Sequence, residues 1–117
     1  VTNELRRFKA DLFHGLAHPT RIAIVEALGE QELTAGKLIE KLNLEQANAS
    51  QHLAVLRARQ VVMSRKEGNQ VYYSLRDPVL KKVLDLLKEY FYSHLTESST
   101  LLKEMKKDAV KKDARKK

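Results

Sequence analysis

Gln46, Asn48, Ser50, Gln51 and His52 place amides, a hydroxyl and an imidazole where a helix serving only solubility would favour Glu and Lys. Such groups carry donors and acceptors together, as base edges in a major groove require: Asn or Gln pairs with adenine N6 and N7, and Ser serves either role. Through the same stretch Ala49, Leu53 and Leu56 recur at i, i+4 and i+7, so a helix over residues 46–59 buries one apolar stripe and presents polar groups around the rest. Gln46, Asn48, Ala49, Ser50, Gln51 and His52 are the candidate DNA-binding residues of this helix, with Ala49 also counted in the stripe and His52 expected to contact phosphate or to pack. A polar amphipathic helix of any small bundle would show this pattern too.

The next segment narrows the choice. Val61-Val62-Met63 and Val71-Tyr72-Tyr73-Ser74-Leu75 are β-prone runs, the second with Val71, Tyr73 and Leu75 on one face. Between them Gly68-Asn69 is expected to supply the positive-φ positions of a hairpin turn. A basic-tipped hairpin directly after such a helix reads as a wing. Its candidate contacts are Arg57, Arg65, Lys66, Asn69, Gln70 and Tyr72; Arg65 and Lys66 are expected to reach phosphates or an adjacent minor groove and set register while the helix chooses sequence.

Several elements must position these groups. Thr34 is an expected N-cap for a short supporting helix carrying Leu38, Ile39 and Leu42, and Asn43-Leu44-Glu45 is the turn between the two helices. Leu5, Phe8, Leu12 and Phe13 mark an amphipathic first helix over 4–15. Pro19 opens a second, with Ile22, Val25, Ala27 and Leu28 before Gly29. After Asp77-Pro78, an N-cap and first helical residue, Leu80, Val83, Leu84, Leu87, Tyr90, Phe91, His94 and Leu95 recur at spacings of three and four, and Leu101, Leu102 and Met105 extend the pattern. That face exceeds what a small domain covers by itself. Leu5, Phe8, Leu12, Leu80, Val83, Leu84, Leu87, Tyr90, Phe91 and Leu95 are therefore the expected interface of a two-fold homodimer, whose paired recognition helices would require an inverted-repeat site.

Composition bounds the alternatives. A chain of 117 residues suits one domain, and the absence of Cys removes disulfides, thiolate metal sites and thiol redox switching. Of the net charge of +7, residues 103–117 contribute +5, from eight Lys and Arg against three acids. This tail is expected to be frayed or disordered, and residues 1–102 to form the DNA-binding and dimerisation domain. With no long apolar run and no leader pattern, membrane insertion and export are not expected, and a cytoplasmic protein is. Catalysis is not expected either. There is no phosphate-cradling glycine loop and no Cys nucleophile, and Glu30 and Glu32 read as a solvated pair in a polar connection.

The chain resembles the ArsR/SmtB family of winged-helix repressors through most of residues 5–95. Leu16-Ala17-His18-Pro19-Thr20-Arg21-Ile22 looks like the start of the family's second helix, and Glu32-Leu33-Thr34-Ala35-Gly36 like the start of its third. Ala49-Ser50-Gln51-His52-Leu53-Ala54-Val55-Leu56 is similar to its recognition-helix core, and Arg65-Lys66-Glu67-Gly68-Asn69-Gln70-Val71-Tyr72-Tyr73 to its wing. The resemblance implies a homodimer that occupies an operator and leaves it when an effector binds. It also implies positions for metal sensing, and this chain departs from them. Thr34, Ala35 and Gly36 stand where one site has cysteines. Asp77 is kept from the site on the C-terminal helices, but Val79 replaces its His, and its later pair falls at Tyr90 and Ser93. Glu45 stands where the family has a Ser or Thr N-cap.

The expected architecture is mainly α with a small β-hairpin wing, a winged helix-turn-helix pairing through its N- and C-terminal helices. The expected function is that of a sequence-specific transcriptional regulator, a repressor on an inverted-repeat operator in double-stranded DNA, with a non-thiolate effector or none and no cofactor. Two alternatives stay open: a sequence-indifferent architectural protein, and a metal-responsive repressor using His94 and Glu97, which two-fold pairing would double into four ligands. A winged helix serving protein contacts is a further competitor.

Overall fold

The computed structural model describes residues 2–97 and 103–108, with Thr96 and Glu97 described by backbone alone. The chain divides into two compact units, Val1–Lys82 and Val83–Lys117.

In the first unit, α1 (Asn3–Leu16) starts at Thr2, whose hydroxyl accepts from the Leu5 amide. His18 then caps α2 (Pro19–Glu30), its Nδ1 accepting from Thr20 N at 3.0 Å, and Pro19 fills the first turn, where a missing N–H costs nothing. The helix runs one residue beyond Gly29. A two-residue strand, β1 (Leu33–Thr34), passes directly into α3 (Ala35–Leu42), and Thr34 caps that helix by accepting from Lys37 N at 3.2 Å. Asn43 turns the chain in the left-handed region (φ 53°), where Asn is tolerated better than most residues, and α4 (Gln46–Ala58) follows. The hairpin is β2 (Val62–Glu67) and β3 (Gln70–Leu75), paired from Val62↔Leu75 to Glu67↔Gln70.

Two details of the sheet differ from expectation. Only Gly68 takes a positive φ (62°), so the turn is of the II′ kind, with glycine at the first central position, and Asn69 needs no left-handed backbone. The sheet also has a third strand: β1 pairs antiparallel with β3 through Leu33↔Tyr73 and Thr34↔Tyr72, giving the order β1-β3-β2. A two-residue strand has no alternation to read.

Ile24, Val25, Leu38, Ala49, Leu53 and Leu56 are fully or almost fully buried where α2, α3 and α4 meet, and Val61, Val62 and Leu75 seal the sheet side. Ile22, expected on the buried face of α2, is exposed, and Ile24 takes that place. Gly15 brings α1 close to the segment after α4: a Cβ there would lie 3.2 Å from Val61 Cγ2 and 3.3 Å from Arg59 Cβ. Asp11 and Arg59 tie the same junction at 2.9 Å.

The last helix, α5 (Val79–Glu97), begins where Asp77 Oδ1 accepts from Val79 N at 2.9 Å. Leu80 is buried within the first unit and Lys81 Nζ meets Glu30 Oε1 at 2.9 Å. Leu80 is thus a residue of the protomer's own core, which corrects its assignment to an intersubunit face. In the second unit Val83, Leu86, Tyr90, Phe91 and Tyr92 are exposed, while Leu84, Leu87 and Leu95 are half-buried. Residues 103–108 are helical; Leu101, Leu102 and the tail from 109 onward lie outside the described residues.

Candidate nucleic-acid interface

The stripe Ala49-Leu53-Leu56 decides which way α4 points its other side chains. With 3.6 residues per turn, Gln51 projects roughly opposite that stripe, flanked by Ala47, Asn48, Ser50 and Ala54, all exposed. Ala49 is completely buried, as its place in the stripe requires, so it holds the helix down and does not belong among the DNA-binding residues expected from sequence. Ala47 and Ala54 were missed by sequence reasoning, which looked for polar groups; a methyl on this face suits the thymine methyl group.

At the start of α4 Glu45 makes no side-chain cap. Its Oε2 instead accepts from Asn48 Nδ2 at 3.3 Å, which orients the amide at the leading edge. Gln46 is exposed beside it. His52 points sideways and is half-buried: its ring lies 4.4 Å from that of His18, and its Nδ1 is 3.5 Å from Arg21 Nη1. Arg21 in turn donates from Nε to Gly15 O at 2.7 Å and from Nη2 to His14 O at 3.2 Å, linking the end of α1 to α4 through α2. Burial first, then the charges of His18 and Arg21, push the His52 imidazole below its ordinary pKa. His52 therefore supports the reading helix from its flank.

Arg57 lies exposed further along α4, lining with Ser50, Ala54, Ala35 and Tyr73 an open cleft of about 470 Å³ between α4, the start of α3 and β3. On the wing Lys66, Asn69 and Gln70 are exposed, and among the described residues Lys66 makes no ion pair. Arg65 behaves differently from expectation. Its Nε and Nη2 donate to Glu32 Oε2 and Oε1 at 2.9 and 2.7 Å, its Nη1 donates to Glu67 Oε2 at 2.6 Å, and its guanidinium lies 4.7 Å from the centre of the half-buried Tyr72 ring. Hydrogen bonds to Glu32 and then Glu67 raise its pKa further, and Arg65 lowers that of Glu32. Glu30 and Glu32, read from sequence as a solvated pair, are separate partners of Lys81 and Arg65.

The family's metal positions do not fit a metal here. The Thr34 hydroxyl is used in capping α3, a carboxylate oxygen of Asp77 is used at the start of α5, and Ala35, Gly36 and Val79 offer no ligand atom in their side chains. Among the described residues no group of three or more His, Cys, Asp or Glu could hold an ion. His94 is exposed; its expected companion, the Glu97 side chain, lies outside the described residues.

A family model described as a helix-turn-helix domain matches residues 16–65. An HTH-type transcriptional regulator of Mycobacterium tuberculosis, Rv0081, is 35% identical over 103 residues, 87% of this chain and 90% of that one. Its crystal structure matches with a TM-score of 0.73 at 37% identity, over 80% of this chain and 95% of that one. The transcriptional repressor SmtB homolog of Synechocystis is 36% identical over 89 residues, 76% of this chain and 64% of that one. The chain belongs to the ArsR/SmtB family. It is a DNA-binding transcriptional regulator, in a family of regulators and not of enzymes. As an ArsR/SmtB protein it shares its fold with the homodimeric winged helix-turn-helix DNA-binding domain Mb0332 of Mycobacterium bovis, at a TM-score of 0.74 and 22% identity over 81% of this chain and 88% of that one. Among the described residues no helix is long and apolar enough to cross a membrane.

Proposed function

We propose that this ArsR/SmtB protein is a cytoplasmic repressor that binds an inverted-repeat operator as a homodimer, with α4 in the major groove and the wing beside it. The outward face of α4 carries this reading: Gln51, Asn48 and Ala47 are exposed on the side away from the buried stripe, with Ser50 and Ala54 exposed beside the open cleft toward α3 and β3. Side chains at the leading end of the second helix of such a motif read base edges. Lys66, Arg57, Asn69 and Gln70 supply backbone contacts that set register without choosing sequence.

Two apolar surfaces support the dimer. On α1, Leu5, Phe8 and Phe13 are exposed, Phe8 to 68%; on α5, Leu86, Tyr90, Phe91 and Tyr92 are 55–65% exposed. Burial of large side chains of this kind is worth about 1.5–3 kcal/mol each, a strong drive to pair. The homodimeric state of the Mycobacterium bovis domain and the repressor designation of the Synechocystis relative agree with the proposal. Since the chain has no cysteine, any effector acts without thiol chemistry.

Selection of bound fragments from genomic DNA, followed by a promoter fusion and sedimentation at micromolar concentration, tests these points. Inverted repeats with half-sites about one helical turn apart, or a multiple of it, a silenced promoter and a dimer are expected. Equal binding of random duplexes would favour an architectural role; a promoter switched on would reverse the direction of control; a monomer would remove the symmetric operator.

A further inference from the structure

Arg65 makes a connection that duplex binding, as proposed above, leaves unused. Across the sheet Arg65 of β2 is paired with Tyr72 of β3, and Tyr72 on its other side with Thr34 of β1. The guanidinium passes over the Tyr72 ring, spans the middle strand, and engages both oxygens of Glu32, two residues before Thr34. Glu67, two residues along its own strand, takes Nη1. One cation thus meets two carboxylates, and the group of Arg65, Glu32 and Glu67 carries a formal charge of −1. A guanidinium fork matches carboxylate and phosphate with the same bidentate geometry, so Glu32 occupies the face that a DNA phosphate would use. Successive side chains of a strand point to opposite faces. Lys66 therefore leaves the ribbon on the side away from Arg65, and it has no ion-pair partner among the described residues.

We infer that Arg65 is a positioning residue that fixes the wing against the segment leading into α3, and that Glu32 withholds it from DNA phosphate. The inference rests on the proposed placement of the wing beside the duplex. Lys66 then supplies the wing's phosphate charge, and Glu32 limits sequence-independent affinity.

The test is the salt dependence of binding to one duplex, since removing a cation from one phosphate reduces the slope of log K against log salt by about 0.9. Arg65→Ala is expected to weaken binding with the slope unchanged, and Lys66→Ala, present in both protomers of the proposed dimer, to flatten it by about 1.8. Glu32→Gln, which frees one Arg65 in each protomer, is expected to steepen the slope by up to about 1.8, and the double variant with Arg65→Ala to return it to the parent value. Flattening by Arg65→Ala, or an unchanged slope for Glu32→Gln, overturns the inference while leaving the wing on DNA. An unchanged slope for Lys66→Ala removes the wing placement, and with it the inference. Should a variant fail to fold, the Arg65 Nε–H resonance of the unaltered protein gives the answer: it keeps its position when duplex is added if Glu32 holds it, and a shift to a phosphate-bound value overturns the inference.

Discussion

The ring of His52 on α4 lies 4.4 Å from the ring of His18 on α2, tilted by 45°, with the Arg21 guanidinium beside them. Burial first, then the electrostatic influence of His18 and Arg21, holds the His52 pKa below its ordinary value of 6.5. Above pH 6.5 this imidazole is neutral in folded and unfolded chains alike, and its contribution to stability is fully present. As pH falls below that value the unfolded chain takes up the proton first, so stability declines until the folded pKa is passed. Denaturant midpoints measured from pH 8 to pH 5 are expected to fall on the acid side, and His52→Gln to reduce that fall. An identical pH profile for the variant would show that His52 is not the group responsible.

Gln51 and Lys66 are expected to fail differently. Gln51→Ala removes a candidate base contact and should cost about 1–3 kcal/mol on the selected site with little effect on random duplex. Lys66→Ala should weaken both alike. Anisotropy titrations on the two duplexes at one salt concentration separate the cases, and equal losses for Gln51→Ala would argue against direct readout.

Leu53 is 2% exposed at the centre of the stripe that seats α4. Leu53→Ala is expected to destabilise the fold by about 2–5 kcal/mol, the usual range for a truncated core leucine. Urea unfolding followed by circular dichroism measures this, and a loss below about 1 kcal/mol would mean that α4 is not held by this core.

Asn43 sits at φ 53° in the turn between α3 and α4. A β-carbon in the left-handed region costs about 1–2 kcal/mol, which Gly escapes and Asn partly offsets. Asn43→Ala is therefore expected to lower thermal stability while Asn43→Gly leaves it nearly unchanged. Equal destabilisation by both would point to the side chain and not to the backbone.

The dimer proposal makes a direct prediction on α1, where Phe8 is 68% exposed. Phe8→Asp is expected to shift sedimentation toward the monomer and to weaken operator binding, with the helical circular dichroism of the folded protomer retained because the side chain is not in its core. A variant that stays dimeric would remove Phe8 from the interface.

Much of the reading head was legible in the sequence because its signals are local. The Ala49-Leu53-Leu56 spacing, the Thr34 cap, the Pro19 start and the glycine at the hairpin turn each depend on neighbours within a few residues, and such rules survive without knowledge of the fold. The errors came where one residue could serve two roles. Ala49 lies among polar readers in the sequence but on the buried side of the helix, and Leu80 belongs to the periodic run of α5 but is claimed by the protomer's own core.

The sequence by itself determined the order of helices and wing, the chemistry of the residues opposite the buried stripe, and the absence of thiol chemistry. Those follow from periodicity, side-chain type and composition. Only the tertiary structure decided which partners distant groups choose: β1 against β3, His52 against His18, and Arg65 with Glu32, 33 positions away. A guanidinium has the same charge and donors whether it faces carboxylate or solvent. What separates a clamp from a phosphate contact is the acid that the fold brings within 3 Å of it, and no local pattern records that distance.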